Sequence, residues 1–473
     1  MKKRNKILVV LIVIIILLLI AGGSFAYFAT DLLKSDAELF GKYLSQIIEE
    51  DGFIDKNIKE LKEKKQQTPY ENSGKITVVA DLPEELGTGA SKVNDLSINF
   101  SGAIDAVNNK SQRDFEIDYG NGITFPVTYL QNNNKYGVEI ERVSSKFVAI
   151  KNENLKEFAQ NIGINDVSEI PDKIELTETK ENVEFTQEEL EQLKQIYGTV
   201  LEEQLTEENF SKAKTSDGEN YILELSGEQL KNVTIKMLEE TKQNTLLIDK
   251  VNQLISQISE DADSIDTGDI DELIKNINEV DGSDISNLKI TLGQKHKLLN
   301  QILIEYGDGK IEITKNKNGS QLGYEINIEI KEIESTGDEQ FNLYLSFQYT
   351  GLENLNNVQE SYKIGFETSQ EDEKYKYEYN INNDVQFKDQ ITTIASFDDE
   401  STVFLNDYDG EVITNFIAQL VERILEVNKE QMQELGLEEA ENPLIYSNPI
   451  TLIGGMVYNT AKETITSIDG NSE

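Results

Sequence analysis

Tyr324-Glu-Ile-Asn-Ile-Glu-Ile330, Phe341-Asn-Leu-Tyr-Leu-Ser-Phe-Gln-Tyr349, Tyr362-Lys-Ile-Gly-Phe366 and Tyr375-Lys-Tyr-Glu-Tyr-Asn-Ile381 decide the fold. In each, apolar residues alternate with polar ones and no proline interrupts them. Successive side chains of a strand point to opposite faces, so this period gives one apolar and one wet face. One wet face implies an antiparallel sheet. The alternation runs from Ile302 to Leu405. An apolar helix is expected to cover the sheet, opened near Asp409 and stopped at Gly436. Its stripe is Val412, Ile413, Phe416, Ile417, Leu420, Val421, Ile424 and Leu425. A weaker helical stretch follows from Leu452 to Ile468. Residues 306–473 therefore read as an antiparallel sheet covered by helices.

A second zone of alternation lies in residues 73–165. Ile76-Val78, Leu96-Ile98-Phe100, Phe115-Ile117-Tyr119 and Ile123-Phe125-Val127-Tyr129 read as half-buried strands. Asn121-Gly122 marks a hairpin turn, and a short helix is expected from Asn154 to Asn161, ending at Gly163. Residues 170–305 read as helical. Thr186-x-x-Glu189 and Ser226-x-x-Gln229 are capping boxes. The second opens a stripe of Leu230, Val233, Met237, Leu247, Val251, Leu254 and Ile258. Residues 259–284 read as an acidic surface excursion. One internal echo, Ile117-Asp-Tyr-Gly-Asn-Gly-Ile123 against Ile304-Glu-Tyr-Gly-Asp-Gly309, leaves open either a duplicated module or two independent hairpins.

The amino terminus sets the expected location. Lys2, Lys3, Arg4 and Lys6 precede an uncharged stretch from Ile7 to Thr30, and the first acidic residue is Asp31. A basic flank before such a run reads as a single membrane segment, residues 1–30, with its start in the cytoplasm. Ser24-Phe25-Ala26 offers the alternative of cleavage after Ala26. Residues 31–68 then read as a helical stalk, carrying Leu32, Leu33, Phe40, Tyr43, Leu44, Ile47 and Ile48, and closing before Pro69. The expected fold class is α+β: an N-terminal transmembrane helix and helical stalk, then two antiparallel-sheet units packed against long helices.

Composition excludes more than it selects. The 473 residues carry a formal charge of -43, with 87 acidic against 44 basic residues. Such a surface repels nucleic acid and anionic headgroups. There is no cysteine, which removes disulfides and lipobox-type lipidation. With His296 the only histidine, zinc sites of the usual ligand sets are nearly excluded. A Ser-His-Asp triad would have to use His296, expected on a surface helix between two lysines. Ser211-Lys-Ala-Lys214 fits a Ser-x-x-Lys pattern but lacks the companion motifs of penicillin-recognising enzymes. Asp261, Asp263 and Glu272 stand at the first, third and twelfth positions of an EF-hand loop. Ile265 and Asp266 break the pattern at the fifth and sixth. The glycine pairs Gly120/Gly122 and Gly307/Gly309 are turns without a following helix, so no phosphate loop is expected. The sequence nominates no catalytic, cofactor-binding or metal residues, no cofactor, and no enzyme.

Tyr27-Phe28, Leu39-Phe40-Gly-Lys-Tyr43-Leu44, Tyr136-Gly137-Val138 and Phe147-Val-Ala-Ile-Lys-Asn152 carry a resemblance to another group. The chain resembles uncharacterised, N-terminally membrane-anchored extracytoplasmic proteins of clostridia and related Gram-positive bacteria. That resemblance covers most of the chain and implies no activity. A sheet wrapped on apolar helices is also distantly similar to lipoprotein-carrier half-barrels, which hold acyl chains. Two functions follow as expectations. One is a non-catalytic binding protein for a hydrophobic or lipid-like ligand; the other is a structural or assembly protein of the envelope acting through protein partners. Both have the membrane as a partner through the N-terminal segment, and neither has nucleic acid.

Overall fold

The computed structural model describes residues 35–47, 52–81, 94, 96–118, 124–153, 155–161, 167, 170, 186–216, 218–258, 264–334, 337–370 and 373–434. The segment expected to span the membrane, the Ala26 cleavage point, the Asn121-Gly122 turn and the helix expected at 452–468 lie outside them. Among the described residues, no helix is long and apolar enough to cross a membrane.

The elements begin with helices α1 (Asp36–Ser45) and α2 (Lys56–Gln67). Six strands follow: β1 (Tyr70–Asp81), β2 (Ser97–Asp105), β3 (Lys110–Asp118), β4 (Thr124–Asn132), β5 (Lys135–Ile140) and β6 (Phe147–Lys151). Helices α3 (Leu155–Asn161) and α4 (Gln187–Gln204) lead to β7 (Phe210–Lys214) and β8 (Glu219–Leu225). Then come α5 (Gly227–Gln243), α6 (Leu246–Ile258) and α7 (Thr267–Asn278). The strands β9 (Leu288–Lys295), β10 (Leu298–Tyr306), β11 (Gly309–Asn318) and β12 (Gln321–Glu334) come next. The last strands are β13 (Gly337–Thr350), β14 (Asn357–Gln370), β15 (Glu373–Phe387) and β16 (Thr402–Phe404), followed by α8 (Gly410–Glu434).

The expectation of two separate sheet units is wrong. Among the described residues, sixteen strands hydrogen-bond in one order, β16-β6-β5-β4-β3-β2-β1-β15-β14-β13-β12-β11-β10-β9-β8-β7. The cause is β1, which pairs with β2 on one side and along its whole length, Tyr70 to Asp81, with β15 on the other. Alternation specifies a strand's faces but not its partner across a long loop. The two outermost strands, β16 and β7, are short, which limits the unpaired backbone available for edge pairing. By compactness the chain divides into residues 1–59 with 179–344, and 60–178 with 345–473.

In the first unit, the part of the expected stalk that forms α1 is core. Ser35 opens α1 with a capping box: its Oγ accepts the Glu38 N–H at 3.2 Å, and Glu38 Oε2 accepts the Ser35 N–H at 2.7 Å. Leu39, Phe40, Tyr43 and Leu44 are at most 3% exposed. Tyr43 stacks on Tyr221 of β8 with ring centroids 4.8 Å apart, and Phe40 tilts against Phe210 of β7 at 5.6 Å. Four large apolar side chains within six residues make too wide a stripe for a solvated stalk.

Both expected capping boxes form, at Thr186 and Ser226. The second helix is not continuous to Ile258; extended backbone at Asn244 separates α5 from α6. Tyr197 of α4 lies 2.6 Å from Thr241 Oγ1 of α5. The Thr241 hydroxyl donates its one proton to the Met237 carbonyl at 2.8 Å, so Tyr197 is the donor to Thr241. Burial pushes the Tyr197 phenol up to about 12, and the Thr241 bond opposes that in part. The folded value lies above the ordinary 10, so Tyr197 holds its proton in the folded state where the unfolded chain releases it. Its contribution is complete below pH 10 and is lost as pH climbs to 12. Over that window the loss is expected to be about 2–3 kcal/mol, and Tyr197→Phe should flatten this part of a urea-stability profile against pH.

The acidic stretch expected as a surface excursion contains α7, which is amphipathic. Asp266 caps it, accepting the Gly268 and Asp269 N–H groups at 2.6 and 3.0 Å. Ile270 packs with Leu238 and Ile248, joined by Leu273, Ile274 and Ile277. Lys231 donates to the Asn278 and Val280 carbonyls, placing a cation at the helix C-terminus. His296 is not helical either. With Lys297 it forms the two-residue tip of the β9–β10 hairpin, at φ +53° and +65°, the pair of left-handed conformations that such a tip requires.

In the second unit, β1–β6, β14 and β15 form the sheet, and β16 joins β6 in parallel. Short helix α3 forms where the sequence places it. Ile117 and Phe125 are the centre of one apolar cluster with Leu96, Ile98, Val127, Ile140 and Val143. Segment 388–401 crosses the other face of the sheet. Ala395 N–H donates to Gln112 Oε1, the Ala395 carbonyl accepts from Asn132, and Phe397 meets Phe147 and Phe404 edge-on. Helix α8 is expected from the sequence to cover the sheet with a long apolar stripe. Among its residues with described side chains only Ile413 is buried, and Val412 is 46% exposed.

Candidate functional site

Register builds an apolar face in the second unit. Tyr362, Ile381, Ile76, Ile98, Ile117 and Phe125 stand opposite one another across β14, β15, β1, β2, β3 and β4. Beside them Ile364, Tyr379 and Val78 form a second row across three strands. Directly opposed residues on antiparallel strands share a face, so both rows lie on one side of the sheet.

This face is closed at two places. Val358 and Val385 are buried at 1% and 2%, and beside them Lys65 of α2 reaches Glu360 at 2.6 Å. Asn383 also donates to Glu360 at 2.6 Å, so this buried carboxylate is fully engaged. Lys64 donates to the Leu355 carbonyl and sits 4.5 Å from the centre of the Phe387 ring. Ile117 and Phe125 close the face at the β3–β4 side, at 6% and 3% exposure. One row further along β14 and β15 from Val358 and Val385 than Tyr362 and Ile381, the face opens: Ile364 is 38% exposed and Tyr379 36%. Phe366 stacks on Tyr377 at 4.9 Å, and Tyr362 receives Phe347 and Tyr349 edge-on. Burial first, then neighbouring Glu360, raises the Tyr362 phenol above its ordinary value and keeps it neutral. The Tyr375-Tyr377-Tyr379 stripe is thus partly a cross-strand ladder and partly open surface.

The opposite face of the same strands is polar and holds a recess of about 680 Å³. Glu71, Asp114 and Asp384 line it with Gln112, Gln359 and Gln386. Several of these groups are already bonded. Asp114 accepts from Thr128 at 2.8 Å and from Gln112 at 3.2 Å, and Lys388 pairs with Glu71 at 3.2 Å.

The short motifs disperse. Ser211 and Lys214 lie on β7, where positions three apart point to opposite faces, so the Ser-x-x-Lys pair is not brought together. His296 sits exposed on a hairpin tip. Asp266 is occupied as a helix cap, and Asp261 and Asp263 lie outside the described residues. What sequence reasoning missed is that Ile76 and Val78 belong beside Ile381 and Tyr379. The only signal was matched alternation in two distant segments, and that does not choose partners.

A family model described as a family of unknown function, DUF6583, matches residues 1–450. No curated protein matches the chain. Among solved structures, one comparison is with a double mutant of transferrin binding protein B, a vaccine antigen from Haemophilus parasuis Hp5. It is 7% identical, covers 67% of this chain and 76% of that one, and superposes with a TM-score of 0.10. At that score the likeness carries no argument, and the similarity to half-barrel carriers gains nothing from it.

Proposed function

The chain belongs to DUF6583, a family of unknown function, and from that premise we propose that it is a non-catalytic extracytoplasmic binding protein for a hydrophobic or lipid-like ligand. The observation that carries this reading is the open stretch of the apolar face around Ile364 and Tyr379. Contiguous exposed apolar surface is costly in water and marks an interaction site. The basic flank before the uncharged run from Ile7 to Thr30 supports a place at the cell membrane, with the N-terminus inside and the bulk of the chain outside. The same face would serve an envelope assembly protein, whose occupant is a protein partner.

The test is titration with a fluorescent long-chain fatty acid. The wild-type chain is expected to bind saturably, and Ile364→Gln with Tyr379→Gln to weaken binding about tenfold or more, from the lost apolar contact. Both positions are over one-third exposed, so folding should change little. Equal binding by the variant would remove this face from the account, and no binding by wild type would turn it towards a protein partner.

A further inference from the structure

The first unit contains a recess of about 760 Å³ that the proposed lipid-like ligand does not use. Three elements converge on it. The β9–β10 hairpin brings Lys295 and His296, the end of β11 brings Lys315 and Lys317, and the start of α2 brings Asp55 and Lys56. Lys315 and Lys317 are two apart on one strand and so share a face.

The charge of this recess runs against the chain. Acidic residues outnumber basic ones 87 to 44 overall. Among the described residues lining the recess there are four lysines and a single carboxylate, Asp55, a balance of four minus one, or +3 with His296 neutral. Asp55 is held at the opening of α2, where its Oδ1 accepts the Asn57 N–H at 3.1 Å. Its Oδ2 meets Lys317 at 3.2 Å. A concave site lined by one sign of charge focuses potential and raises the local concentration of the opposite ion. The Lys315 head is fixed by donation to the Gly52 carbonyl at 2.9 Å. Lysine heads are compact point charges with rotatable donors, suited to the several oxygens of a phosphate, and no arginine fork is present to favour a planar carboxylate. The volume suits a small ligand.

We infer that this recess is a binding site for a small, multiply charged phosphate anion. His296 is the only histidine of the chain, so its imidazole gives one assignable proton signal at the site. The experiment titrates tripolyphosphate, and separately citrate, into the full-length protein at constant ionic strength while following that signal. A saturable shift is expected with tripolyphosphate, with binding at least tenfold weaker for citrate. Lys295→Gln with Lys317→Gln should weaken tripolyphosphate binding about tenfold or more, as loss of two charge-assisted contacts implies. Lys317→Arg should retain it. A wild-type signal that does not move, or a neutralised variant that binds as wild type does, would overturn the site. Equal binding of citrate would overturn its assignment to phosphate.

Discussion

Replacing Tyr43 by alanine is expected to destabilise the first unit by about 3–5 kcal/mol, the cost of emptying a buried aromatic site. The reason is its place in the core. Its ring lies 4.8 Å from that of Tyr221, both residues are 2% exposed, and Leu39, Phe40 and Leu44 of the same helix are buried around it. Burial and the hydrogen bond to Glu219 hold the Tyr221 phenol neutral, so the pair packs as two uncharged rings. Equilibrium urea unfolding measures the effect. Ile54, only a few residues beyond that helix but 59% exposed, is the control, and Ile54→Ala should change stability by less than about 0.5 kcal/mol. If α1 were a solvated stalk, the two variants would behave alike.

Gly74→Ala is expected to cost about 3 kcal/mol, at the upper end of overpacking effects. Gly74 stands between Asn383 on β15 and Phe100 on β2. A Cβ there would come within 1.9 Å of the Asn382 carbonyl oxygen and 2.5 Å of Phe100 Cζ. The first of these is backbone, so β1 and β15 would have to separate, and the benzene ring that lies over the glycine would lose its seat. Urea unfolding again reads the cost, and amide exchange along β1 and β15 should quicken. Gly319→Ala is the comparison. That residue has φ +60° with nothing within 4 Å, so only backbone strain of about 1 kcal/mol is expected.

These two positions mark the limits of what the sequence discloses. Strand identity is legible, because Tyr324 to Ile330 and Tyr375 to Ile381 alternate without interruption. So are the helix starts at Thr186 and Ser226, because a capping box is a local chemical pattern. Pairing is not. Nothing local in Tyr70–Asp81 says that its second neighbour lies some three hundred residues downstream, and that one pairing turns two expected sheets into one. The place of His296 is hidden because a hairpin tip with two non-glycine residues at positive φ carries none of the usual Asn-Gly signal. In residues 267–278 the acidic content obscures Ile270, Leu273, Ile274 and Ile277 at helical spacing. The apolar face is a product of register, so its residues can be read individually but not as a site.

The most direct test of the binding account is native mass spectrometry of the full-length protein, released from detergent, paired with organic extraction of the same preparation. The account predicts an additional apolar mass on the protein and a matching lipid-like species in the extract, both lost in the Ile364→Gln, Tyr379→Gln variant. A clean apo mass together with a stoichiometric protein partner in the purified complex would contradict it and give the apolar face to an assembly contact instead.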